Sequence, residues 1–126
     1  MSKRIFVVED QEDLRAILRD FLSASGYTVI EAVDGAESVA KAASERPDLV
    51  LMDIQLPVLD GYEATRQIKA LPGLAAIPII AVSSFAMKGD EEKARASGCG
   101  DYVTKPYSPV NLLRLVHRYL GEAAQR

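Results

Sequence analysis

The feature that most constrains the fold of this 126-residue chain is an alternation of short apolar runs with longer stretches of helical periodicity. Residues 5–8 are all apolar and stop at Glu9 and Asp10, and the similar run 49–52 stops at Asp53. Runs of this length are typical of strands that are buried on both faces. Five such runs alternate with stretches whose apolar residues recur every three or four positions. The alternation therefore predicts an α/β protein, a (βα)5 fold with a doubly wound, five-stranded parallel sheet.

Turn and capping residues mark the ends of the remaining elements. The other three strands are expected at residues 28–30, 77–82 and 102–104. The third helix is expected to run through Leu71, and the fourth to begin at Asp90, where acidic residues suit the positive end of a helix. Ser108, followed by a proline, is a typical start for the last helix.

The charge and cysteine content exclude several classes of protein. Fifteen Lys and Arg residues against eighteen Asp and Glu residues give a net charge of -3, which argues against direct nucleic-acid binding. No run approaches the roughly 18 apolar residues of a membrane span, and the N-terminus does not have the pattern of a signal peptide. Cys99 is the single cysteine, as expected in a reducing compartment. These observations predict one cytoplasmic domain over residues 1–126 that binds neither nucleic acid nor membranes.

Polar side chains collect at the carboxyl ends of the predicted strands. Glu9 and Asp10 follow the first strand, Asp53 the third, Ser83 the fourth and Lys105 the fifth. In an open α/β sheet those ends face one crevice, so these residues are expected to converge. Three crowded carboxylates repel one another unless a cation intervenes, and their oxygens suit Mg²⁺. A metal, a lysine and a hydroxyl around one aspartate indicate phosphoryl transfer onto a carboxylate.

In these motifs the chain resembles the CheY-like receiver domains of response regulators over roughly residues 4–120. The matching segments are residues 6–10, 51–57, 60–61, 81–83 and 101–106. Residues 85–92 look most like single-domain DivK-type regulators and the receivers of hybrid kinases. The resemblance implies a flavodoxin-like sheet with strand order 2-1-3-4-5.

The resemblance also implies a role for each residue at the metal site. Asp53 would be the phosphoacceptor. Glu9 and Asp10 would hold Mg²⁺, directly or through water, together with Asp53 and the backbone carbonyl of Gln55. The acidic pair is Glu-Asp where Asp-Asp is commoner in the family, but a carboxylate remains a carboxylate.

By the same resemblance, Ser83 would bond the phosphoryl oxygens and Lys105 would pair with them. Serine stands where threonine is more frequent, and either supplies the hydroxyl. Ser83 and Tyr102 would form the switch, and Pro106 matches a proline that follows a cis bond in the family. Ser84 is interpreted as a spacer beside the site.

The function implied is that of a switch in a two-component phosphorelay. A histidine kinase or histidine phosphotransfer protein would donate the phosphoryl group, and an output protein would dock on the fourth helix, fifth strand and fifth helix. The protein would not be an enzyme, beyond assisting its own phosphotransfer and dephosphorylation.

Three other functions remain as alternatives. A haloacid-dehalogenase-type phosphatase would need a second aspartate where Gln55 stands. A flavodoxin-like electron carrier would need a glycine- and hydroxyl-rich loop where residues 9–12 stand. A receiver-like scaffold that takes no phosphate is disfavoured because every site residue is present.

Several residues also have a plain structural interpretation. Glu9 and Asp10 could cap the first helix. His117 is interpreted as an ordinary residue of the last helix, and Cys99 as structural. The wide apolar stripe of that helix indicates either a well-buried terminal helix or, through Leu115 and Tyr119, a surface for a partner or a weak homodimer.

Overall fold

The fold is described from a computed structural model, which covers residues 3–84 and 88–121. Five strands and five helices alternate along the chain, as the apolar pattern predicts. The elements are β1 Arg4–Val8, α1 Glu12–Ala24, β2 Thr28–Ala32, α2 Gly35–Glu45, β3 Leu49–Asp53, α3 Gly61–Lys69, β4 Ile79–Ser83, α4 Lys88–Ser97, β5 Asp101–Thr104 and α5 Pro109–Leu120.

The strands form one parallel sheet in the order β2-β1-β3-β4-β5. This order confirms the doubly wound arrangement implied by the sequence. In the register of the central strands, Val8 lies opposite Met52 and Asp53 lies opposite Val82. The carboxyl ends of β1, β3 and β4 therefore meet at one edge of the sheet.

Alternate residues of each central strand enter two separate hydrophobic clusters. Phe6 and Met52 belong to the cluster on one face of the sheet, and Ile5 and Leu51 belong to the cluster on the other. All four side chains are at most 2% exposed. Burial of such a side chain contributes about 1.5–3 kcal/mol, so every position of these strands favours an apolar residue. This is why the strands read as continuous apolar runs.

Several strand ends differ by one or two residues from the expected ones, such as the end of β2 at Ala32, and three boundary differences have a clear physical reason. Helix α3 ends at Lys69 rather than Leu71, because the chain enters a turn in which the Leu71 amide donates to the Ile68 carbonyl (3.0 Å), while the Leu71 side chain still packs on the core. Strand β4 begins after Pro78, which has no N–H for a ladder but accepts from the Val50 amide (3.0 Å) through its carbonyl. Helix α4 begins before Asp90, whose acidic side chain suits any position of the first turn.

The last helix begins as expected. The Ser108 hydroxyl accepts from the Asn111 amide (3.4 Å), and Pro109 occupies the first turn. Among the helices of the described ranges, none is both long enough and apolar enough to span a membrane.

Candidate functional site

The polar residues singled out in the sequence meet at the carboxyl edge of the sheet. Asp53 and Ser83 are the last residues of β3 and β4, and Glu9 follows β1 directly. Lys105 follows β5, and its amide donates to the Ser83 carbonyl over 2.7 Å. Parallel pairing thus brings residues from four strands into one crevice.

Three carboxylates form the floor of this crevice. Glu9 and Asp53 are each only 2% exposed, whereas Asp10 is exposed. One carboxylate oxygen of each lies within 4.8 Å of the others. This donor set, made of oxygen ligands with one side open to solvent, fits a hard divalent cation such as Mg²⁺.

Burial, and then the neighbouring negative charge of Asp53, raise the pKa of Glu9 to about 7. A bond from the Gln11 amide and the positive charge of Lys105 act in the opposite direction without cancelling the effect. The site therefore carries an electrostatic cost at neutral pH that a bound cation would offset.

Lys105 is shared between the two buried carboxylates. Its Nζ lies 3.2 Å from Oε1 of Glu9 and 3.4 Å from Oδ2 of Asp53. Both distances exceed the roughly 2.7–2.9 Å of a tight charge-assisted hydrogen bond. The ammonium group is thus a common counter-ion for both carboxylates, close enough to pair with an anion attached to Asp53.

Backbone geometry fixes the orientation of the Asp53 carboxylate. Its Oδ1 accepts from the Gln55 amide (3.0 Å), which leaves Oδ2 on the side of Lys105. The chain then returns to start α3 against the end of β3. A Cβ on Gly61 would lie 2.4 Å from the Asp53 carbonyl oxygen, so only glycine allows this approach. Asp60 caps the same helix by accepting from the Glu63 amide.

Ser83 and Tyr102 lie on neighbouring strands. Ser83 is fully buried opposite Thr104, and Tyr102 is half-buried opposite Ala81, where it packs against the core. Ser84 is exposed, and its amide donates to Oε1 of Gln55 (3.0 Å). These positions put a hydroxyl-bearing residue beside the carboxylates and an aromatic residue on the next strand.

The helix-capping interpretation of Asp10 is wrong. Gln11 holds the position before α1, without a side-chain capping bond, and the Gln11 amide donates instead to Oε2 of Glu9 (3.1 Å). Oε2 of Glu9 thus accepts a hydrogen bond from a backbone amide at the start of the helix, where a capping side chain usually acts as the acceptor.

The remaining residues with a structural interpretation lie away from the crevice or in the core. Cys99 is buried, with its sulfur 3.7 Å from the Thr65 hydroxyl. The His117 ring lies 6.1 Å from the Tyr27 ring. Residues 85–87, the start of the segment most like DivK-type regulators, lie outside the described residues.

Sequence reasoning missed Tyr107. Its hydroxyl oxygen is buried, and its side chain lines a small cavity together with Glu9 and Asp53. Burial, and then the charges of those two carboxylates, raise the pKa of Tyr107 well above its usual value. The only signal in the sequence is a tyrosine two positions after Lys105, which by itself indicates no role.

The raised pKa of Glu9 predicts an unusual pH dependence of stability. Its folded value of about 7 lies above the reference value of 4.5, so the native state binds more protons between these pH values. The free energy of unfolding should therefore fall as pH rises from about 4.5 to about 7, by on the order of 3 kcal/mol. Urea unfolding with a chelator present should show this fall in the wild type and not in Glu9→Gln. The exposed Glu12→Gln, outside the cluster, is the matched control, and an equal fall in Glu9→Gln would contradict the assignment.

A parallel sheet of this order, with a carboxylate cluster and a lysine at its carboxyl edge, defines a CheY-like receiver fold. The chain belongs to the family of response regulator receiver domains, whose model matches residues 5–117. Receiver domains of two-component systems are phosphoacceptor switches that interact with histidine kinases or phosphotransfer proteins and with output partners.

Individual relatives agree with this family. The chain is 46% identical over 123 residues to the polar-differentiation response regulator DivK of Brucella anthropi, which covers 98% of this chain and 100% of that protein. It is 38% identical to the receiver domain of sensor histidine kinase PA1611 from Pseudomonas aeruginosa PAO1, with a TM-score of 0.88 over 96% of this chain and 99% of that one. That structure has a magnesium ion coordinated in its active-site cleft. The Vibrio cholerae chemotaxis protein CheY4 is 26% identical, with a TM-score of 0.90 over 94% and 99% of the two chains.

Proposed function

We propose that Asp53 accepts a phosphoryl group from a histidine of a kinase or a phosphotransfer protein. The observation that carries the proposal is the position of its Oδ2, which lies 3.4 Å from Lys105 while Oδ1 is held by the Gln55 amide. One carboxylate oxygen is thus oriented beside a cation. The phosphatase alternative lacks its second aspartate, because Gln55 occupies that position.

We propose that the metal of the site is Mg²⁺. Glu9, Asp10 and Asp53 would hold it with the backbone carbonyl of Gln55, and the ion would neutralise charge on the transferring phosphoryl group. The clustering of the three carboxylates supports this assignment. The magnesium in the Pseudomonas receiver, 38% identical to this chain, supports it as well.

The protein's own residues then have distinct parts in the transfer. Asp53 Oδ2 attacks phosphorus, the N–P bond to the donor imidazole breaks, and its electron pair stays on that nitrogen, so the imidazole leaves as a neutral group that keeps the proton of its other ring nitrogen. Lys105 pairs with the phosphoryl oxygens, which replace part of its contact with the Asp53 carboxylate. The Ser83 hydroxyl donates a hydrogen bond to another phosphoryl oxygen. In this way the domain assists its own phosphorylation and dephosphorylation without acting on a separate substrate.

We propose that Ser83 and Tyr102 transmit the modification to the face formed by α4, β5 and α5. A hydroxyl drawn toward the phosphoryl group would change the packing next to Tyr102, and a partner that prefers one arrangement would shift the equilibrium. Tyr119 is 38% exposed on this face, whereas Leu115 packs partly on the core. The same face would serve an output protein or a weak homodimer. The proposal takes residues 1–126 as one cytoplasmic receiver domain.

Ser83→Ala is expected to accept phosphate but to switch poorly. The coupling free energy between a modified site and the face that responds to it is typically ~1–3 kcal/mol. Without the Ser83 hydroxyl, the changes that phosphorylation causes in the amide chemical shifts of residues 101–104 should therefore shrink to less than half. In Tyr102→Ala, phosphorylation should no longer change the amide chemical shifts of α5. The exposed neighbour provides the control, Ser84→Ala, which should behave as the wild type. Undiminished shift changes in both switch variants would remove these residues from the mechanism.

The function as a whole is tested by incubating the protein with acetyl phosphate and Mg²⁺. Intact mass should show one added phosphoryl group that hydroxylamine removes, as expected of an acyl phosphate. A protein that takes up no phosphate under these conditions would be the unphosphorylated scaffold instead.

A further inference from the structure

The Tyr107 hydroxyl is an unusual group within the described part of the chain. Its oxygen is buried, yet no hydrogen-bond partner among the residues 3–84 and 88–121 reaches it. Leaving a buried hydroxyl without a partner typically costs about as much as a lost hydrogen bond. A tyrosine is therefore a poor choice at this position unless its hydroxyl bonds to a group outside those residues, such as a water molecule.

The cavity that the Tyr107 side chain lines has the size and lining that suit one water molecule. It offers about 10 Å³ to the centre of a water-sized sphere. This is close to the smallest volume that holds a water, roughly 10–15 Å³ on the same measure. Tyr107, Glu9 and Asp53 are its polar residues. The other lining residues are the apolar Val7, Val8, Leu18, Leu51 and Val82.

The donors and acceptors around the cavity are complementary to such a water. The Tyr107 hydroxyl can donate one hydrogen bond. Glu9 and Asp53 are acceptors when ionised, and each carboxylate oxygen can take a second bond besides those from Gln11, Gln55 and Lys105. A water that accepts from the hydroxyl and donates to both carboxylates makes three hydrogen bonds, the usual number for a buried water.

We propose that Tyr107 is a positioning residue that, with Glu9 and Asp53, holds one structural water beneath the phosphoacceptor. The water donates to both carboxylates and fixes their orientation from below, while Lys105 acts from another side. Tyr107 touches neither metal nor phosphoryl group in this arrangement. The phosphorylation part of the inference rests on the proposed function, and the water itself does not.

Tyr107→Phe tests the inference through the sign of a stability change. If the hydroxyl holds a water, its removal breaks a bonded network, and the variant should unfold at lower urea concentration than the wild type. If the hydroxyl has no partner, its removal relieves a buried polar group, and the variant should unfold at the same or a higher concentration. Atomic-resolution crystal structures should show the water in the wild type and its loss in the variant.

The second readout is the rate of phosphorylation by acetyl phosphate with saturating Mg²⁺. Tyr107→Phe should slow it several-fold, because Asp53 is less well oriented. The matched control is Tyr27→Phe, which removes a hydroxyl that donates to the Gly121 carbonyl (2.9 Å) far from the site. That control should lower stability but leave the rate unchanged.

Each result decides the inference. A dry cavity, a urea midpoint that does not fall, or an unchanged phosphorylation rate would overturn the positioning role of Tyr107. Failure of the proposed function is separate, since a wild type that takes up no phosphate leaves the water and the urea comparison to be judged independently.

Discussion

Asp53→Asn is expected to abolish uptake of phosphate from acetyl phosphate while the domain stays folded. The amide is a very poor nucleophile compared with a carboxylate, and it cannot form the acyl phosphate. Its oxygen can still accept from the Gln55 amide, which now binds Oδ1 over 3.0 Å. The substitution also removes one of two neighbouring buried negative charges, so the free energy of unfolding in the absence of metal should stay the same or rise.

Asp48→Asn is the matched control for this experiment. Asp48 stands directly before β3 and Asp53 at its end, so the two variants alter opposite edges of the same strand. Oδ2 of Asp48 accepts from the Arg4 amide (2.8 Å), far from the carboxylate cluster. Intact mass should show full phosphorylation of this control. An equal, hydroxylamine-labile adduct on Asp53→Asn would assign the phosphoacceptor to another residue.

Asp10→Asn should weaken Mg²⁺ binding by about tenfold or more, which corresponds to ~1.4 kcal/mol. One of three clustered carboxylates loses its charge, and a neutral amide oxygen is a weaker ligand for a hard cation. Asp10 is the best of the three to replace because it is exposed, so its loss leaves no buried group without a partner. Phosphorylation at limiting Mg²⁺ should fall in parallel, and excess Mg²⁺ should restore much of it.

Isothermal titration calorimetry with Mg²⁺ measures this effect directly. Asp13→Asn is the control, since Asp13 is an exposed carboxylate at the start of α1 that does not belong to the cluster. It should bind the ion as the wild type does. Unchanged affinity in Asp10→Asn would mean that the metal lies elsewhere.

The sequence was sufficient for the number, type and order of the elements because burial on both faces leaves a continuous apolar run. Residues 5–8 and 49–52 show this most clearly, and both lie within strands of the structure. The strand order came from the family resemblance, since periodicity does not state which strand pairs with which. Element ends were less certain, as at Leu71 and Pro78, where a turn and a missing N–H shift the boundary without changing the hydrophobic pattern.

The sequence by itself determined which side chains reach the carboxyl edge of the sheet, because a residue that ends or directly follows a parallel strand must lie at that edge. Glu9, Asp53 and Lys105 are of this kind. Only the tertiary structure decided how these groups interact: that Lys105 is shared by two carboxylates, and that burial beside Asp53 raises the pKa of Glu9 to about 7. The role of Tyr107 also depends on a cavity formed between β1, β3, β4 and α1. Distances, desolvation and voids arise from packing of segments remote in the chain, and no local pattern of residues encodes them.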